Sequence, residues 1–391
     1  DTTPPDLSFM ISECQNSFST QTCLLATTTA NLFWSSTSTD LARYELKCEI
    51  NSAECPNFNF AGTTATSTIY NLSDNTAYIF KAKAIDINGN QSPEKIINAE
   101  TNLRPIIINE IAWMGTSVTK TQDEWLELYN PTFYPVNLDG ISLVSETDNG
   151  GPDIQLSGFI PARSFYLIER TDDTAISDIT ASTTASFGNG LNNNGETLAL
   201  KYGSTTIDRT PALDQCNDWC GGMGNPYFWS MERADPLVSG EDKNNWGSFA
   251  NLSAIGKNKD GLAINGTPGR RNSLHYLISP SSSYLNQDKT LKKVNNPYII
   301  FNTPLTIQNG ITLTVEPGVI IKFYNSTSLA VNGIIKAEGI TEDPIVFTSF
   351  KDDSLAEDTN QDATSTSPQA GDWGTIKIAG SGSSFDHVIF R

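Results

Sequence analysis

Short runs in which apolar and polar residues alternate recur along this chain, and they constrain its fold more than any other feature. The run that organises the rest spans Ile106–Pro131, and its apolar or aromatic alternating positions are Ile106, Ile108, Trp125 and Tyr129. Successive side chains of a strand point to opposite faces, so this pattern predicts two strands separated by a loop. An Asn-Pro pair ends the second strand.

The residues that follow repeat the pattern in shorter stretches. Further strands are predicted at Val136–Val144, Phe165–Ile168, Glu196–Tyr202 and Thr206–Asp208, divided by Gly, Asn, Asp and Pro. Short alternating strands with frequent turn residues are typical of a sandwich of antiparallel sheets. The middle of the chain is therefore predicted to be a self-contained all-β domain.

Several motifs of this part occur together in the order of a known family. They read INEIAW, DEWLELYNPT, VNLDGISLV, SMERAD, NNW and NGTPGRRNS, and they fall within residues 103–273. In these motifs the chain resembles the bacterial branch of the lamin-tail domain. The resemblance implies an immunoglobulin-like β-sandwich that serves as a non-catalytic module of secreted bacterial proteins.

Four polar residues within these motifs are candidates for either a structural or a chemical role. Asn109, Glu110, Glu127 and Asn130 are expected to fix turns and strand ends by hydrogen bonding to the backbone. The alternative is a metal or active-site role. We favour the structural interpretation.

Residues 1–102 show the same alternation in a background rich in Thr and Ser. Their predicted strands include Ala30–Trp34, Tyr44–Cys48, Ser67–Tyr70 and Tyr78–Ala82. This spacing, the DTTPP entry and the AKAIDINGNQSPEK segment resemble a fibronectin type III domain. In such a sandwich Trp34 would fill the core and the Tyr78 hydroxyl would bond back to the backbone. The stretch Asp86–Asn90 is predicted to be a turn rather than a cation loop, because Asn-Gly supplies left-handed geometry.

From Asn296 onward the pattern changes to short runs separated by glycines. The residues predicted to point inward are Ile311, Leu313, Val315, Val319, Ile321, Phe323, Leu329, Val331, Ile335, Ala337, Ile345 and Phe347. A coil with one strand on each side needs such runs, with glycine at its corners. The phrases ITLTVEPGVIIKF, LAVNGIIKAEG, PIVFTS and GDWG resemble bacterial surface proteins that contain a right-handed parallel β-helix.

The resemblances together give the expected organisation of the chain, which is all-β. Two immunoglobulin-like β-sandwiches at 1–102 and 103–273 are followed by a linker at 274–296, with a flexible element at 279–283. Residues 297–391 are expected to be the first two and a half coils of a right-handed parallel β-helix that is incomplete at the C-terminus. Coils bury their strands only by stacking, so further coils are expected after the last residue.

Six cysteines occur as three close pairs. The pairs are Cys14 with Cys23, Cys48 with Cys55, and Cys216 with Cys220. Six cysteines can pair in many ways, but proximity favours local disulfides and therefore an oxidising, extracellular compartment. The alternative for the last pair is a zinc site, although neither histidine of the chain lies near it in the sequence.

Net charge and hydropathy narrow the range of partners. The 391 residues carry a formal net charge of −19 at pH 7. Such a chain repels phosphates, and it lacks the clustered Lys and Arg that nucleic-acid binding requires. It also lacks an apolar run long enough to span a membrane. We therefore expect no nucleic-acid partner and no transmembrane segment.

An acidic insertion between Phe350 and Trp373 is the candidate cation site. Asp358, Asn360 and Asp362 place three oxygen ligands at alternating positions, as the first half of a calcium loop does. Further carboxylates are available at Asp352, Asp353 and Glu357. The glycine and the last glutamate of an EF-hand loop are missing. The sequence leaves two interpretations open, a calcium site and a solvated acidic loop.

A long loop at 214–229 is the candidate contact surface. Its aromatic residues are Trp219, Tyr227, Phe228 and Trp229. Exposed aromatic rings beside glycines suit stacking on a carbohydrate or contact with a protein. The alternative, which we favour, is that Trp219 and Trp229 fold inward beneath a disulfide-tied loop.

These features predict a non-catalytic structural or adhesive protein of the cell surface. Its partner would be a carbohydrate or protein of a cell surface, or a second copy of the chain in a surface assembly. The alternative is a polysaccharide-binding or polysaccharide-cleaving β-helix enzyme whose active coils lie beyond residue 391. The candidate catalytic groups within this chain are Asp372, Asp386, His387 and Arg391. Calcium is the one cofactor that the sequence suggests.

Overall fold

The structure, a computed structural model, describes residues 2–16, 22–50, 53–74, 76–147, 150–250, 252, 255–279, 282–301, 304–356, 358–360, 362 and 364–391. Within these residues the chain is all-β, as predicted. The helices of the described part are short 3₁₀ turns at Ser12–Asn16, Leu213–Gln215, Lys243–Asn245, Ser273–Tyr276 and Lys293–Asn295. None of these described helices has the length and apolar character needed to cross a membrane.

The first part of the chain is built from two sheets. Its strands are β1 (Ser8–Ile11), β2 (Cys23–Leu25), β3 (Ala30–Ser35), β4 (Leu41–Ile50), β5 (Ala53–Gly62), β6 (Thr66–Ile69), β7 (Thr76–Asp86) and β8 (Lys95–Thr101). One sheet has the order β1-β3-β6 and the other β2-β8-β7-β4-β5. All neighbours are antiparallel except β2 and β8. This arrangement is consistent with a fibronectin type III-like sandwich.

The interior of this sandwich contains the two aromatic residues that the sequence placed there. Trp34 is buried, and its ring lies 6.2 Å from that of Tyr44 and 5.2 Å from that of Phe60. The Tyr78 hydroxyl accepts a hydrogen bond at 2.8 Å from the backbone N–H of Ser73, five residues upstream. Both predicted roles are confirmed.

The predicted turn after β7 is also present. The Asp86 carboxylate accepts hydrogen bonds from the backbone N–H groups of Asn88 and Asn90 at 2.9 and 2.8 Å. Gly89 has a φ of 87°, a left-handed conformation that glycine adopts without steric cost. The side chain of Asp86 therefore holds the turn in place.

Three disulfides join the cysteines as local pairs. Cys14–Cys23 ties the first 3₁₀ turn to β2, and Cys48–Cys55 ties β4 to β5. Cys216–Cys220 closes a small loop in the middle of the chain. The predicted local pairing is confirmed.

The middle of the chain forms a larger sandwich. Its strands are β9 (Ile107–Ala112), β10 (Trp125–Tyr129), β11 (Val136–Asn137), β12 (Ile141–Ser145), β13 (Asp153–Gln155), β14 (Phe159–Ile160), β15 (Phe165–Arg170), β16 (Thr183–Ala185), β17 (Leu198–Tyr202), β18 (Thr205–Arg209), β19 (Met231–Arg233) and β20 (Trp246–Ser248). The main sheets have the orders β16-β15-β10-β9-β19-β20 and β13-β12-β17-β18, and β11 pairs with β14. The two strands predicted within Ile106–Pro131 are β9 and β10, which pair antiparallel.

The last part of the chain contains three parallel sheets. Its strands are β21 (Tyr284–Leu285), β22 (Lys289–Leu291), β23 (Tyr298–Ile300), β24 (Leu305–Ile307), β25 (Thr312–Val315), β26 (Ile320–Phe323), β27 (Leu329–Val331), β28 (Ile334–Glu338), β29 (Ile345–Ser349), β30 (Ile376–Ile378), β31 (Ser384–Asp386) and β32 (Val388–Phe390). The sheets have the orders β21-β24-β27-β30, β22-β25-β28-β31 and β23-β26-β29-β32. Each strand therefore pairs with the strand three positions further along the chain, and three strands make one turn.

The interior of this parallel-stranded region is apolar, as the period-two pattern predicted. All of the residues predicted to point inward are buried except Ile311, which is partly buried and packs against the same core. Gly318 lies at a corner with a φ of 76°. At Gly333 a Cβ atom would lie 2.2 Å from the Ile311 carbonyl oxygen, so no other residue fits there without a shift.

The predicted linker at 274–296 was wrong. Strands β21 and β22 lie inside it and pair with β24 and β25, so the described residues contain four turns of parallel strands rather than two and a half. The physical reason is that Leu285 and Leu291 are buried in the same core as the later strands. The polar residues around them obscured this short apolar pattern.

The middle sandwich packs directly on the parallel-stranded region. The Arg271 guanidinium donates hydrogen bonds to the backbone carbonyls of His275, Asn295 and Asn296 at 2.9, 2.6 and 2.7 Å. Beside it, Leu274, Leu277, Ile299 and Phe350 form a buried apolar cluster. The segment between the two regions is therefore held on both sides.

We predict that Leu291→Ala destabilises the parallel-stranded region by about 2–5 kcal/mol, because a buried leucine would leave a cavity. Thr290→Ala, at the exposed neighbouring position, is the matched control and should have little effect. Calorimetric unfolding measures both changes. Equal, small effects would show that residues 289–291 do not belong to this core.

Candidate functional site

Three glutamates lie side by side across the central sheet of the middle sandwich. Glu127 on β10 is directly opposite Glu110 on β9, and Glu110 is directly opposite Glu232 on β19. All three side chains are fully buried. We call these three residues the glutamate row.

The glutamate row binds the segment that follows the sandwich. Glu110 accepts hydrogen bonds from the Thr267 N–H and hydroxyl, both at 2.8 Å. Glu127 accepts one from the Gly269 N–H. Glu232 accepts one from the Ser273 hydroxyl at 2.6 Å and one from the Leu274 N–H at 3.0 Å. The three carboxyl groups thus hold residues 267–274 against the sheet.

Asn109 extends this network, and Asn130 forms separate hydrogen bonds near the end of β10. Asn109 donates from its amide to Glu127 at 3.0 Å and to the Asn272 side-chain oxygen at 2.7 Å. Asn130 donates to the carbonyls of Tyr134 and Ile160, at 2.7 and 3.0 Å. Glu110, Glu127 and Asn130 therefore bond to the backbone as expected, whereas the Asn109 amide bonds to two side chains instead. Glu232 was not singled out from the sequence.

Burial of these carboxyl groups changes their titration. Burial, followed by the charge of Glu232, raises the pKa of Glu110 to about 8. Burial raises the pKa of Glu232 to about 7. Burial and the charge of Glu110 raise the pKa of Glu127 well above its usual range. The glutamate row therefore retains protons near neutral pH.

The acidic insertion brings together a set of carboxylates that differs from the predicted one. Oxygen atoms of Asp353, Asp358 and Asp362 all lie within 4.8 Å of one another. Both carboxylate oxygens of Asp353 are shielded from solvent and have no hydrogen-bond partner. Burial and then the charges of the other two aspartates raise the pKa of Asp353. We call these three residues the aspartate cluster.

The remaining residues predicted for this site have other contacts. The side-chain amide of Asn360 donates a hydrogen bond to Asp362 at 2.9 Å. In this contact Asn360 is a hydrogen-bond donor to the aspartate cluster. Its side-chain oxygen is buried without a hydrogen-bond partner. Asp352 accepts hydrogen bonds from the hydroxyls of Thr348 and Ser354 at 2.7 and 2.5 Å. Glu357 lies outside the described residues.

The insertion covers a buried lysine. Lys322 on β26 is fully buried, and its ammonium group donates to the Thr359 hydroxyl at 3.1 Å. The positive charge of Lys322 lowers the pKa of Asp353, against the larger effect of burial. The aspartate cluster therefore lies near a cation that belongs to the protein itself.

The Gly-Asp-Trp-Gly motif at residues 371–374 ends the insertion. Asp372 accepts hydrogen bonds from the Lys351 ammonium at 2.8 Å and from the Ser349 hydroxyl at 2.9 Å. The Trp373 ring stacks on Phe323 with 4.4 Å between centroids. These contacts return the chain to the core of the parallel-stranded region.

The contacts that the structure gives for the four candidate catalytic residues do not place them in one site. Asp372 is engaged at the end of the insertion, with its side chain 11% exposed. Asp386 pairs with the adjacent His387 at 2.9 Å on the surface. Arg391 lies 3.8 Å from Asp352. Three separate contacts thus account for the four groups.

The aromatic loop divides into an inner and an outer part. Trp219 is buried, stacks on Trp113 at 6.3 Å and donates from its indole N–H to the Asn192 carbonyl at 2.8 Å. Placing Trp219 on the contact surface was therefore wrong, because both its ring and its polar atom are satisfied inside the core. Tyr227 is 49% exposed and contacts the partly buried Trp229 at 4.9 Å.

Phe228 also packs inward, where it is partly buried against a small cluster that includes Met114 and Ile264. Tyr227 and Trp229 are therefore the members of the predicted contact surface with rings at the outer side of the loop. The favoured inward fold holds for Trp219 and only in part for Trp229.

Comparison with known proteins identifies no family. No family model matches the chain, and no curated protein matches it.

Among solved structures, the chain is similar to a DUF4876 family protein from Bacteroides thetaiotaomicron VPI-5482, with 9% identity, a TM-score of 0.28, and 61% of this chain and 96% of that chain covered. It is similar to the chitinase ChiA74 from Bacillus thuringiensis, with 18% identity and a TM-score of 0.19. That match covers 43% of this chain and 26% of the chitinase chain. It is also similar to the chicken CNTN1 FN1–FN3 domains, with 12% identity and a TM-score of 0.18. That match covers 51% of this chain and 59% of the CNTN1 chain. Likeness at these scores indicates nothing about function.

We predict that stability falls as the pH rises from about 5 to about 8. The folded chain keeps the Glu110 proton up to a pKa of about 8, whereas the ordinary value is 4.5. The stabilisation from this proton is therefore complete below about pH 4.5 and is lost as the pH approaches 8.

Glu110→Gln should remove part of this dependence and stabilise the middle sandwich at pH 8 by on the order of a few kcal/mol. Glu342→Gln, at an exposed position, is the matched control. Thermal unfolding at several pH values measures the effect. A pH profile that is the same in the Glu110 variant and the parent chain would contradict the assignment.

Proposed function

We propose that this chain is a non-catalytic, extracellular structural or adhesive module of a surface protein. The observation that carries the proposal is the junction at Arg271, where direct hydrogen bonds and a buried apolar cluster join the middle sandwich to the parallel-stranded region. A continuous packed body of this kind suits a stiff spacer that presents a binding surface. The three disulfides fit an oxidising, extracellular environment.

The proposal includes a finer description of the fold. The middle sandwich is of the lamin-tail type, supported by the motif residues Glu110, Glu127 and Glu232 that meet in the glutamate row. The parallel-stranded region is a right-handed parallel β-helix, supported by three parallel sheets in which every third strand pairs. Both architectures serve as rigid scaffolds, and neither by itself specifies a reaction.

The proposal also includes a calcium ion at the aspartate cluster. Three carboxylates whose oxygens lie within 4.8 Å of one another repel one another, and a hard divalent cation with oxygen ligands relieves that repulsion. The solvent-shielded oxygens of Asp353 support this assignment. Calcium there would fix the insertion over the buried Lys322.

Titration calorimetry of the chain with calcium chloride tests the cation site. We expect a dissociation constant of about 10⁻⁴–10⁻³ M, the range of extracellular modules. Asp353→Asn should weaken binding about tenfold, because it removes one charged ligand. Asp218→Asn, in an exposed position away from the cluster, should not. Equal affinities for both variants would refute the site.

The non-catalytic assignment is tested by incubating the chain with a panel of polysaccharides and recording both retention and new chain ends. We expect retention of at least one polysaccharide without any increase in reducing or unsaturated ends. Release of new ends would contradict the proposal and favour the polysaccharide-cleaving alternative.

A further inference from the structure

A large cleft lies where the middle sandwich meets the first turn of the parallel-stranded region. Its volume is about 1170 Å³, and Arg271, Asn295 and Asn296 are among the residues that line it. Pockets for small ligands measure about 300–1000 Å³, so this cleft has room for several units of a polymer. None of its lining residues was singled out by sequence motifs for binding.

The charge of the cleft is opposite to that of the whole chain. Its described lining contains five Lys or Arg side chains and two carboxylates, whereas the chain carries a net charge of −19. The cleft is therefore a positive site on a negative protein, and such a site attracts an anionic ligand.

The five cations of the cleft differ in how far they are engaged by the protein itself. Arg271 and Lys289 donate to backbone carbonyls and so stabilise the wall of the cleft. Arg270 and Lys292 are exposed and form no ion pair with the described carboxylates, whereas Arg163 is partly buried over the Phe133 ring and interacts with the charge of Glu100. Arginine recognises a carboxylate through two parallel hydrogen bonds, and lysine acts as a point charge.

Aromatic and amide side chains lie in the same cleft. Phe133 is 64% exposed beneath the Arg163 guanidinium, which lies 4.3 Å from its ring centre. Tyr284 is 51% exposed, and the adjacent Asn286 and Gln287 are exposed. Aromatic rings stack on the apolar faces of sugars, and amides bond to hydroxyl groups.

We propose that this cleft binds an acidic polysaccharide, with sugar carboxylates between Arg163, Arg270 and Lys292 and with sugar rings on Phe133 and Tyr284. The inference rests on the proposed adhesive function and names the class of its ligand. Burial and the nearby arginines lower the pKa of His275 well below its usual range, so this residue adds no charge to the cleft near neutral pH.

The test measures binding of the intact chain to polygalacturonate by titration calorimetry, in low salt and in the presence of a chelator. We expect the Arg270→Ala/Lys292→Ala double variant to bind at least about tenfold more weakly, since two charge-assisted contacts are lost. Lys336→Ala/Lys377→Ala removes the same charge from exposed positions outside the cleft and should bind like the parent chain.

Two further measurements separate the contribution of stacking to binding from that of charge. Phe133→Ala should weaken binding without changing its salt dependence, because it removes stacking rather than charge. Binding by the parent chain should fall sharply near 1 M salt, where charges are screened beyond about 3 Å. Thermal unfolding of each variant checks that the fold is retained.

Several outcomes would overturn the inference. The first is that the two double variants bind polygalacturonate with equal affinity, and the second is that Tyr227→Ala abolishes this binding instead. The others are that the chain binds single-stranded DNA more strongly than polygalacturonate, or that it does not bind polygalacturonate. Retention of a neutral polysaccharide without polygalacturonate binding would refute the cleft and leave the adhesive function intact. Release of new chain ends would refute the non-catalytic function, while the cleft variants would still report where the polymer binds.

Discussion

The glutamate row is the interaction on which the arrangement of the chain depends. Three carboxyl groups in neighbouring strands of one sheet, shielded from water, would repel one another strongly if all were charged. Their raised pKa values keep protons on them, and the backbone and hydroxyl groups of residues 267–274 satisfy their oxygens. A buried polar network of this kind favours one structure in so far as its members are paired, and here the Asn109 side-chain oxygen is a member that is buried without a hydrogen-bond partner.

Fixing residues 267–274 has consequences beyond the sandwich. Arg271 lies within this segment, and its guanidinium holds the carbonyls of Asn295 and Asn296 just before β23. The first turn of the parallel strands is thereby placed against the sandwich, and the cleft lies between them. The proposed ligand site is therefore a result of the same hydrogen-bond network that holds the two regions together.

Much of the fold could be predicted because the period of two is a local property. The inward residues from Leu313 to Phe347 and the existence of strands β9 and β10 follow from alternation together with the turn residues that bound each run. The linker was mispredicted because β21 and β22 are only two and three residues long. Strands this short contain too few residues for an alternating pattern to be recognised.

The sites depend on contacts that the sequence does not display. Glu232 joins Glu110 only through strand pairing across more than a hundred residues, and Asp353 joins Asp358 only because the insertion folds back. The Asn192 carbonyl, which accepts the Trp219 indole N–H, lies 27 residues before it in the chain, so the aromatic loop alone does not display this contact. The cleft draws residues from three distant stretches, so no single motif could indicate it.

Hydrogen exchange of the intact chain tests the central claim, that the glutamate row fixes the segment joining the two regions. The account predicts that the backbone N–H groups of Thr267, Gly269 and Leu274 exchange about as slowly as those of β9 and β10, because buried carboxyl groups hold them. Rapid exchange of these three groups, with β9 and β10 still protected, would contradict it.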